Sequence, residues 1–562
     1  MKNYSKMLIL LYFAVLLEGC YPKGNTGEIK ATGVRFATSD TVLQKVFNLA
    51  EKECLNNIYD FKGYKVLVEG AGYNNVWLET QPMGGVMYAK RDIEIARNNV
   101  EIFIDCQRKD GRMPGLVRNE KDSLNPDFFR FQGNCFPMPA FELYYWLGKD
   151  KAYLQKLYKC LEMWDNYVWK TRDSDNNGCL ESWCRHDTGE DNNVRFGAGP
   201  SCWPYEFPPS KEKLPGLSLK QDEMDNLFVE KVILMTKEQK EEWNNRGKIF
   251  RELTGDIPVP LESMDIMSYS YSNRDVLSLI SQELKNGKDT YWRGKATEVR
   301  KKLKDYLWNS DKKACYDRDK NNEVMDILLH NNLRCMWYGA FDQEMAEGFV
   351  RNHLFNPEEF WTPCPLPSIA ANDPKFRNIS GNDWSGQPQA LTFQRSISAL
   401  ENYGYFSELT AIGTKFLEIS GKHLRFPQQY DPFTAIPNEG KTGYGPGLLS
   451  ALEFISRLYG VHYSQDKLYW SCLDNGHDYS YSQQWGDKTF SMTTVGKQVI
   501  CSINSKEVFS FTKGARIISD LTGRPLEVIG IESGERKIEI KLLDKVQNIS
   551  VRSNEIYSLK KP

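Results

Sequence analysis

A helical period that runs from about residue 36 to 460 and then gives way to strand alternation constrains this chain more than any other feature. Asp40 stands where a helix cap belongs, and Val42, Val46, Phe47, Ala50 and Cys54 fall on one helical face behind it. Asp92 opens a second helix, with Ile93, Ala96, Val100 and Phe103 at helical spacing. The same signal recurs at Trp292, Ala296, Val299, Leu303 and Leu307, and at Phe406, Leu409, Ile412, Phe416 and Ile419. After Tyr463 the period changes to two. Lys537-Ile538-Glu539-Ile540-Lys541-Leu542 alternates, and turns such as Thr522-Gly523 and Ser533-Gly534 punctuate the runs. The expectation is a mainly α body over 36–462, built of helical hairpins closed into a toroid, and a small β-sandwich over 463–562. Periodicity predicts the helices and is silent on whether their ring closes.

The start of the chain reads as an address. Lys2 and Lys6 precede the apolar run Met7–Leu17, which is too short to span ~30 Å of hydrocarbon, and Glu18-Gly19-Cys20 follows. This resembles a bacterial lipoprotein signal, with Glu18 an atypical residue for it. The resemblance implies removal of 1–20, lipidation of Cys20, a tether over 21–35 and residence at the cell envelope. An anchor there is the only membrane contact expected, because no later run of ~18 apolar residues follows. With 72 Lys+Arg against 74 Asp+Glu, the chain lacks the basic excess that phosphate neutralisation needs, which argues against nucleic acid as a partner. The cysteines after Cys20 show no paired or zinc-type spacing, so buried thiols are expected, with one bridge among Cys179, Cys184 and Cys202 left open. Nothing in the sequence addresses oligomeric state.

Function is expected on the long Gly-, Pro-, Asn- and Trp-rich loops between helices, at 173–209 and 360–388. The segment Asp187-Thr188-Gly189-Glu190-Asp191-Asn192-Asn193-Val194-Arg195-Phe196 gathers three acids, two amides and an arginine. Such a set suits a hydroxyl-rich ligand, and equally a solvated acidic loop. Aromatic residues make up 13% of the chain, and flat rings of this kind serve as sugar platforms or as packing. Asp173-Ser174-Asp175-Asn176-Asn177-Gly178 opens like a calcium loop, but its twelfth position is Cys184, so a tight turn is the expectation. The six histidines have no ligand spacing, and neither a phosphate loop nor a nucleophile elbow is present. No metal and no cofactor is therefore expected.

Five ordered motifs resemble the six-hairpin glycosidases, the group of trehalase-like enzymes, processing glucosidases and mannosylglycerate hydrolases. The Asp187–Phe196 segment is similar to the group's Glu-Ser-Gly-x-Asp-Asn-Ser-x-Arg-Trp/Phe signature. Gln107 to Pro114, Trp361 through Phe376, Trp384-Ser385-Gly386 and Tyr430-Asp431-Pro432-Phe433-Thr434 follow in the group's order. The resemblance covers about 35–460 and implies an (α/α)6 toroid and a glycoside hydrolase. It also implies Asp191 as general acid, with a pKa raised to keep its proton near neutrality. Glu79, Asn192, Arg195, Trp361, Trp384, Gln428 and Tyr430 would then bind substrate.

The sequence departs from the group at the second carboxylate. The group's basic Glu falls on Gln428, whose amide holds water but does not deprotonate it. Glu439 on the same loop is the preferred substitute, with Asp431 and Glu79 as alternatives. The expected function is an exported, inverting hydrolase of an oligosaccharide or glycan fragment. Gln428 keeps open a non-catalytic carbohydrate-binding protein on the same scaffold, and helical toroids also carry polysaccharide lyases.

Overall fold

The structure, a computed structural model, describes residues 30–197, 236, 258–542 and 545–559. The signal segment, Cys20 and Cys202 lie outside the described residues, as does most of the segment read as a tether. Among the described residues no helix is long and apolar enough to cross a membrane.

Twelve helices among the described residues form two rings. The outer ring holds α1 (Thr41–Asn56), α3 (Ile93–Asp105), α5 (Lys151–Thr171), α7 (Asp289–Tyr306), α9 (Gln343–Phe349) and α11 (Phe406–His423). The inner ring holds α2 (Gln81–Tyr88), α4 (Pro137–Trp146), α6 (Met264–Leu284), α8 (Asn331–Trp337), α10 (Ala390–Glu401) and α12 (Gly445–Tyr459). Each inner helix packs on the next, and α12 returns onto α2, so the toroid closes.

The helices legible in sequence all belong to the outer ring. Asp40 accepts the N–H groups of Val42 and Leu43, and Asp92 those of Glu94 and Ile95, as the caps require. The apolar faces foreseen on α3, α7 and α11 are buried; on α1, Leu43 is buried where Val42 was expected, and Val42 stays exposed. Inner helices lack a polar side because they are buried all round. In α6, Ser268, Ser272, Asn273 and Ser278 are enclosed together with its apolar residues.

The sandwich carries two antiparallel sheets. One has seven strands, ordered Thr32–Thr38, Tyr479–Trp485, Lys488–Val495, Gln498–Ile503, Lys506–Thr512, Glu535–Leu542 and Lys545–Arg552. The other has five, in the order Val461–Ser464, Lys467–Cys472, Ala515–Asp520, Pro525–Gly530 and Ile556–Ser558. Trp470 and Phe509 meet between them with ring centroids 5.7 Å apart. The first strand corrects the tether reading of 21–35: Thr32 to Arg35 pair with Trp485 to Ser482, so the sheet begins inside that segment.

The sandwich closes one end of the toroid. Lys90 at the end of α2 binds Glu453 at 2.6 Å, Arg457 and Arg516 both reach Glu401, and the group borders a cavity of about 460 Å³. Functional loops are left to the opposite end. Cys179, one of the three clustered cysteines, is a free buried thiol.

Candidate active site

The loop from Glu181 to Gly197 folds around its own acids. Asp187 is wholly buried and accepts the N–H groups of Phe131 at 3.0 Å and Trp183 at 2.9 Å, with Arg172 at 3.4 Å. Gly189 follows with φ +75°, and a Cβ there would lie 2.4 Å from the Glu79 carboxylate. Glycine thus lets the loop close onto Glu79. Glu79 is buried, bound to Arg395 at 3.1 Å and to Gln132 at 3.3 Å. Burial raises its pKa; Arg395 and Arg334 pull it down while Asp191 adds to the rise.

Arg195 corrects the sequence reading. Instead of facing a ligand, its guanidinium is enclosed among Glu190, Asp265 at 2.8 Å and Asp317 at 2.6 Å. Glu190 also takes His330 at 2.8 Å and Asn331 at 3.1 Å. Charges this deep are retained only when paired, so this knot of loop, α6 and α8 is a structural tie. Asn192, at φ +60°, ties the loop to its neighbour by donating to Asn382 O and accepting from Arg377 and Ser385.

Asp191 emerges from this knot with two donors on its carboxylate. His186 Nε2 lies 2.6 Å from Oδ1, and Asn382 Nδ2 lies 2.5 Å from Oδ2. The donor directions follow from their neighbours. Arg130 Nη1 stands 3.0 Å from His186 Nδ1; a guanidinium only donates, so Nδ1 accepts and the ring hydrogen sits on Nε2, facing Asp191. Trp384 Nε1, also donor-only, points at Asn382 Oδ1 at 3.0 Å, which turns the Asn382 amide nitrogen toward Asp191. Burial pushes the Asp191 pKa up, but His186, Asn382 and Arg130 together hold it below the usual carboxylate value. The raised pKa expected from sequence is therefore corrected for this arrangement.

Asn382 carries the hydrogen bonding on to Gln428. Gln428 Nε2 donates to Asn382 Oδ1 at 2.8 Å, and Tyr73 Oη donates to Gln428 Oε1 at 3.0 Å. Both ends of the Gln428 amide are thus engaged. Tyr73, Asn382, Gln428, Asn438, Glu439 and Lys441 line a cavity of about 400 Å³. Glu439 is exposed on its wall. Behind Tyr73, the buried Glu69 accepts Tyr444 Oη at 2.7 Å. Burial raises the Glu69 pKa to about 8; Tyr444 and Arg395 oppose the rise, and Glu79 and Asp191 reinforce it.

Three aromatic assignments move. Tyr430 is fully buried against Phe393 and Phe416, because its ring fills core between α10 and α11. Trp361 packs on Phe355 and under Lys415 of the outer helix α11, away from the cavity wall. Trp384 is 2% exposed and orients Asn382 rather than offering an open platform. Asp431 is spent on a turn, accepting from Phe433 N, Thr434 N, Thr434 Oγ1 and Asn378 Nδ2.

His186, Asn382, Tyr73 and Glu69 went unnoticed in sequence. Glu69 and Tyr73 bracket a Gly-Ala-Gly turn, the one local signal that the backbone there needs special freedom, with Gly70 at φ +81° and Gly72 at +96°. The turn at Asp173 forms as expected, with Gly178 N on the Asp173 carboxylate at 3.3 Å. Asp175, Glu181 and Glu262 bring oxygens within 4.8 Å of one another, yet Glu181 already accepts from Trp183 Nε1 at 2.6 Å and Glu262 from Asn177 at 3.2 Å. That acidic cluster carries no metal assignment.

Comparison with known proteins gives a family and a fold. The family model described as "Mannosylglycerate hydrolase MGH1-like glycoside hydrolase domain" matches residues 85–445. No curated protein matches the chain by sequence. Among solved structures, the GH63 mannosylglycerate hydrolase from Thermus thermophilus in complex with glucose superposes with a TM-score of 0.58 at 16% identity, covering 73% of this chain and 99% of that one. The same enzyme in complex with Tris and D-glycerate gives 0.56 at 16% identity, with the same coverage. A neutral trehalase from Saccharomyces cerevisiae gives 0.50 at 16% identity, covering 70% of this chain and 74% of that one. At such identities the superpositions show the shared six-hairpin fold. Because the family match spans more than half of its length, this chain belongs to the mannosylglycerate hydrolase MGH1-like glycoside hydrolase family and is a six-hairpin glycoside hydrolase.

Proposed function

We propose that this hydrolase is exported, held at the bacterial envelope through Cys20, and cleaves a glycosidic bond of an oligosaccharide or glycan fragment with inversion, with Asp191 as proton donor. The observation that carries the reading is the hydrogen-bonded chain from Asp191 through Asn382 to Gln428, whose last two members line a sugar-sized cavity. An inverting enzyme needs a protonated carboxyl at the leaving oxygen and a water-activating group on the opposite ring face, about 6.5–9.5 Å away.

The two donors on Asp191 explain how its affinity for a proton rises in the reaction. A glycosidic oxygen approaching Oδ2 displaces the Asn382 amide, and the sugar excludes water. Both changes remove stabilisation of the charged carboxylate. Asp191 therefore takes up a proton from solvent as the substrate enters, and His186 keeps Oδ1 fixed, so that this proton sits on Oδ2, facing the leaving oxygen. Gln428, engaged at both ends, has no basic site to offer. Glu439 stands on the same cavity wall, beside Gly440 at φ +114°, and takes the water-activating role. The envelope assignment rests on the Lys2–Cys20 pattern.

Purified protein is tested on a glycan panel with analysis of product anomers. Asp191→Ala is expected to lose turnover on substrates with poor leaving groups far more than on activated aryl glycosides. Equal losses on both, or binding without turnover in the native protein, would refute the assignment.

A further inference from the structure

The loops that wall the active-site cavity continue outward into an apolar ledge that the mechanism does not use. Phe433 is 51% exposed, and its ring meets the half-buried Phe376 edge-on with centroids 5.8 Å apart. Ile379 and Ile436, on the same two loops, are also exposed. Single exposed apolar side chains are ordinary, but two rings from separate loops held together form a built surface.

A hydrogen-bonded line joins this ledge to the cavity. Asn438, on the cavity wall, donates to Gln387 at 2.5 Å; Gln387 donates to Asn378 at 2.8 Å; Asn378 donates to Asp431 at 2.7 Å. Asp431 then accepts the backbone N–H of Phe433 itself at 3.0 Å. The ledge is therefore held in fixed relation to the site of bond cleavage, which limits the ordering entropy that a ligand spanning both must overcome.

We infer that Phe376 and Phe433 form a distal sugar subsite, so that the substrate is a glycan longer than a disaccharide, one of its outer rings stacking on the Phe433 face. A sugar ring offers an apolar face with hydroxyls at its edge. The ledge matches it with an exposed aromatic ring, and it stands on the loops that wall a cavity that the hydrolase reading already assigns to sugar. This inference rests on that reading for the identity of the neighbouring site.

The test uses the full chain with manno- and gluco-oligosaccharides of both anomeric linkages, from disaccharide to hexasaccharide. Phe433→Ala is expected to lower kcat/KM on the longer members by about three- to tenfold, the scale of one lost aromatic contact, and to leave the disaccharide unchanged. Phe433→Tyr should restore the longer substrates. Calorimetric titration of Asp191→Ala, with and without Phe433→Ala, reads the subsite where no bond is cleaved, and affinity should rise with chain length only when Phe433 is present. Affinity that is independent of length, or no binding at all, overturns the subsite; a native protein that hydrolyses nothing while still binding by length overturns the hydrolase and spares the subsite. Sedimentation showing self-association of the native protein that Phe433→Ala abolishes would also overturn the inference, assigning the ledge to an interface between copies.

Discussion

Burial raises the Glu69 pKa to about 8, so this carboxyl is expected to hold its proton at neutral pH, with a measurable effect on stability. Its carboxyl is 7% exposed, and this burial, reinforced by the like charges of Glu79 and Asp191, outweighs the opposing hydrogen bond from Tyr444 Oη at 2.7 Å. Its pKa accordingly lies at about 8 in the folded protein against an ordinary 4.5. Between these values the folded state binds a proton that the unfolded chain releases, so stability falls as pH rises through this window. At about 1.4 kcal/mol for each pH unit, the full window corresponds to about 5 kcal/mol lost above pH 8 and present below pH 4.5. Glu69→Gln keeps the shape and cannot ionise. In denaturation followed across this range, the variant should gain on the native protein steadily from pH 4.5 to 8, by several kcal/mol at the alkaline end, with the two curves parallel outside the window. Infrared difference spectra should show a protonated carboxyl at neutral pH that the variant lacks. A stability difference independent of pH, or no such carboxyl band, would refute the reasoning and place Glu69 among ordinary ionised acids.

Three further outcomes are expected. Arg195→Met leaves Glu190, Asp265 and Asp317 buried without their shared cation and should cost at least about 3–5 kcal/mol, seen as a lowered melting temperature; normal stability with weakened sugar binding would return Arg195 to the substrate. Glu439→Ala should abolish turnover, and added azide should restore it on an activated substrate, giving a glycosyl azide of inverted configuration; unchanged turnover would end the assignment. Cys20→Ser should release the protein from membrane fractions, and identical fractionation of the two forms would remove the anchor.

The local code of this chain is strong where one side of an element meets solvent. Outer helices such as α3 and α11 announce themselves because a polar face alternates with a buried one at helical spacing. The sandwich strands do so because period two separates core from solvent, as in Glu535–Leu542. The same logic hides the inner helices. α2 contains Gly84 and Gly85 and opens with Pro82, while α6 buries serines and tyrosines on every side, so neither shows a periodic contrast.

Asp191 was legible because its neighbours form a motif that can be matched by order. What Asp191 touches was not legible, since His186 reaches it around a turn and Asn382 from 191 residues away in sequence. Tertiary structure alone decided that Arg195 is enclosed by three carboxylates, that Tyr430 fills the core while Gln428 lines the cavity, and that burial, reinforced by Glu79 and Asp191, raises the Glu69 pKa. Residue type and spacing determine which side chains are available to a site. Their charge state and direction depend on distances between distant segments and on exclusion of water, and neither exists until the ring of helices closes.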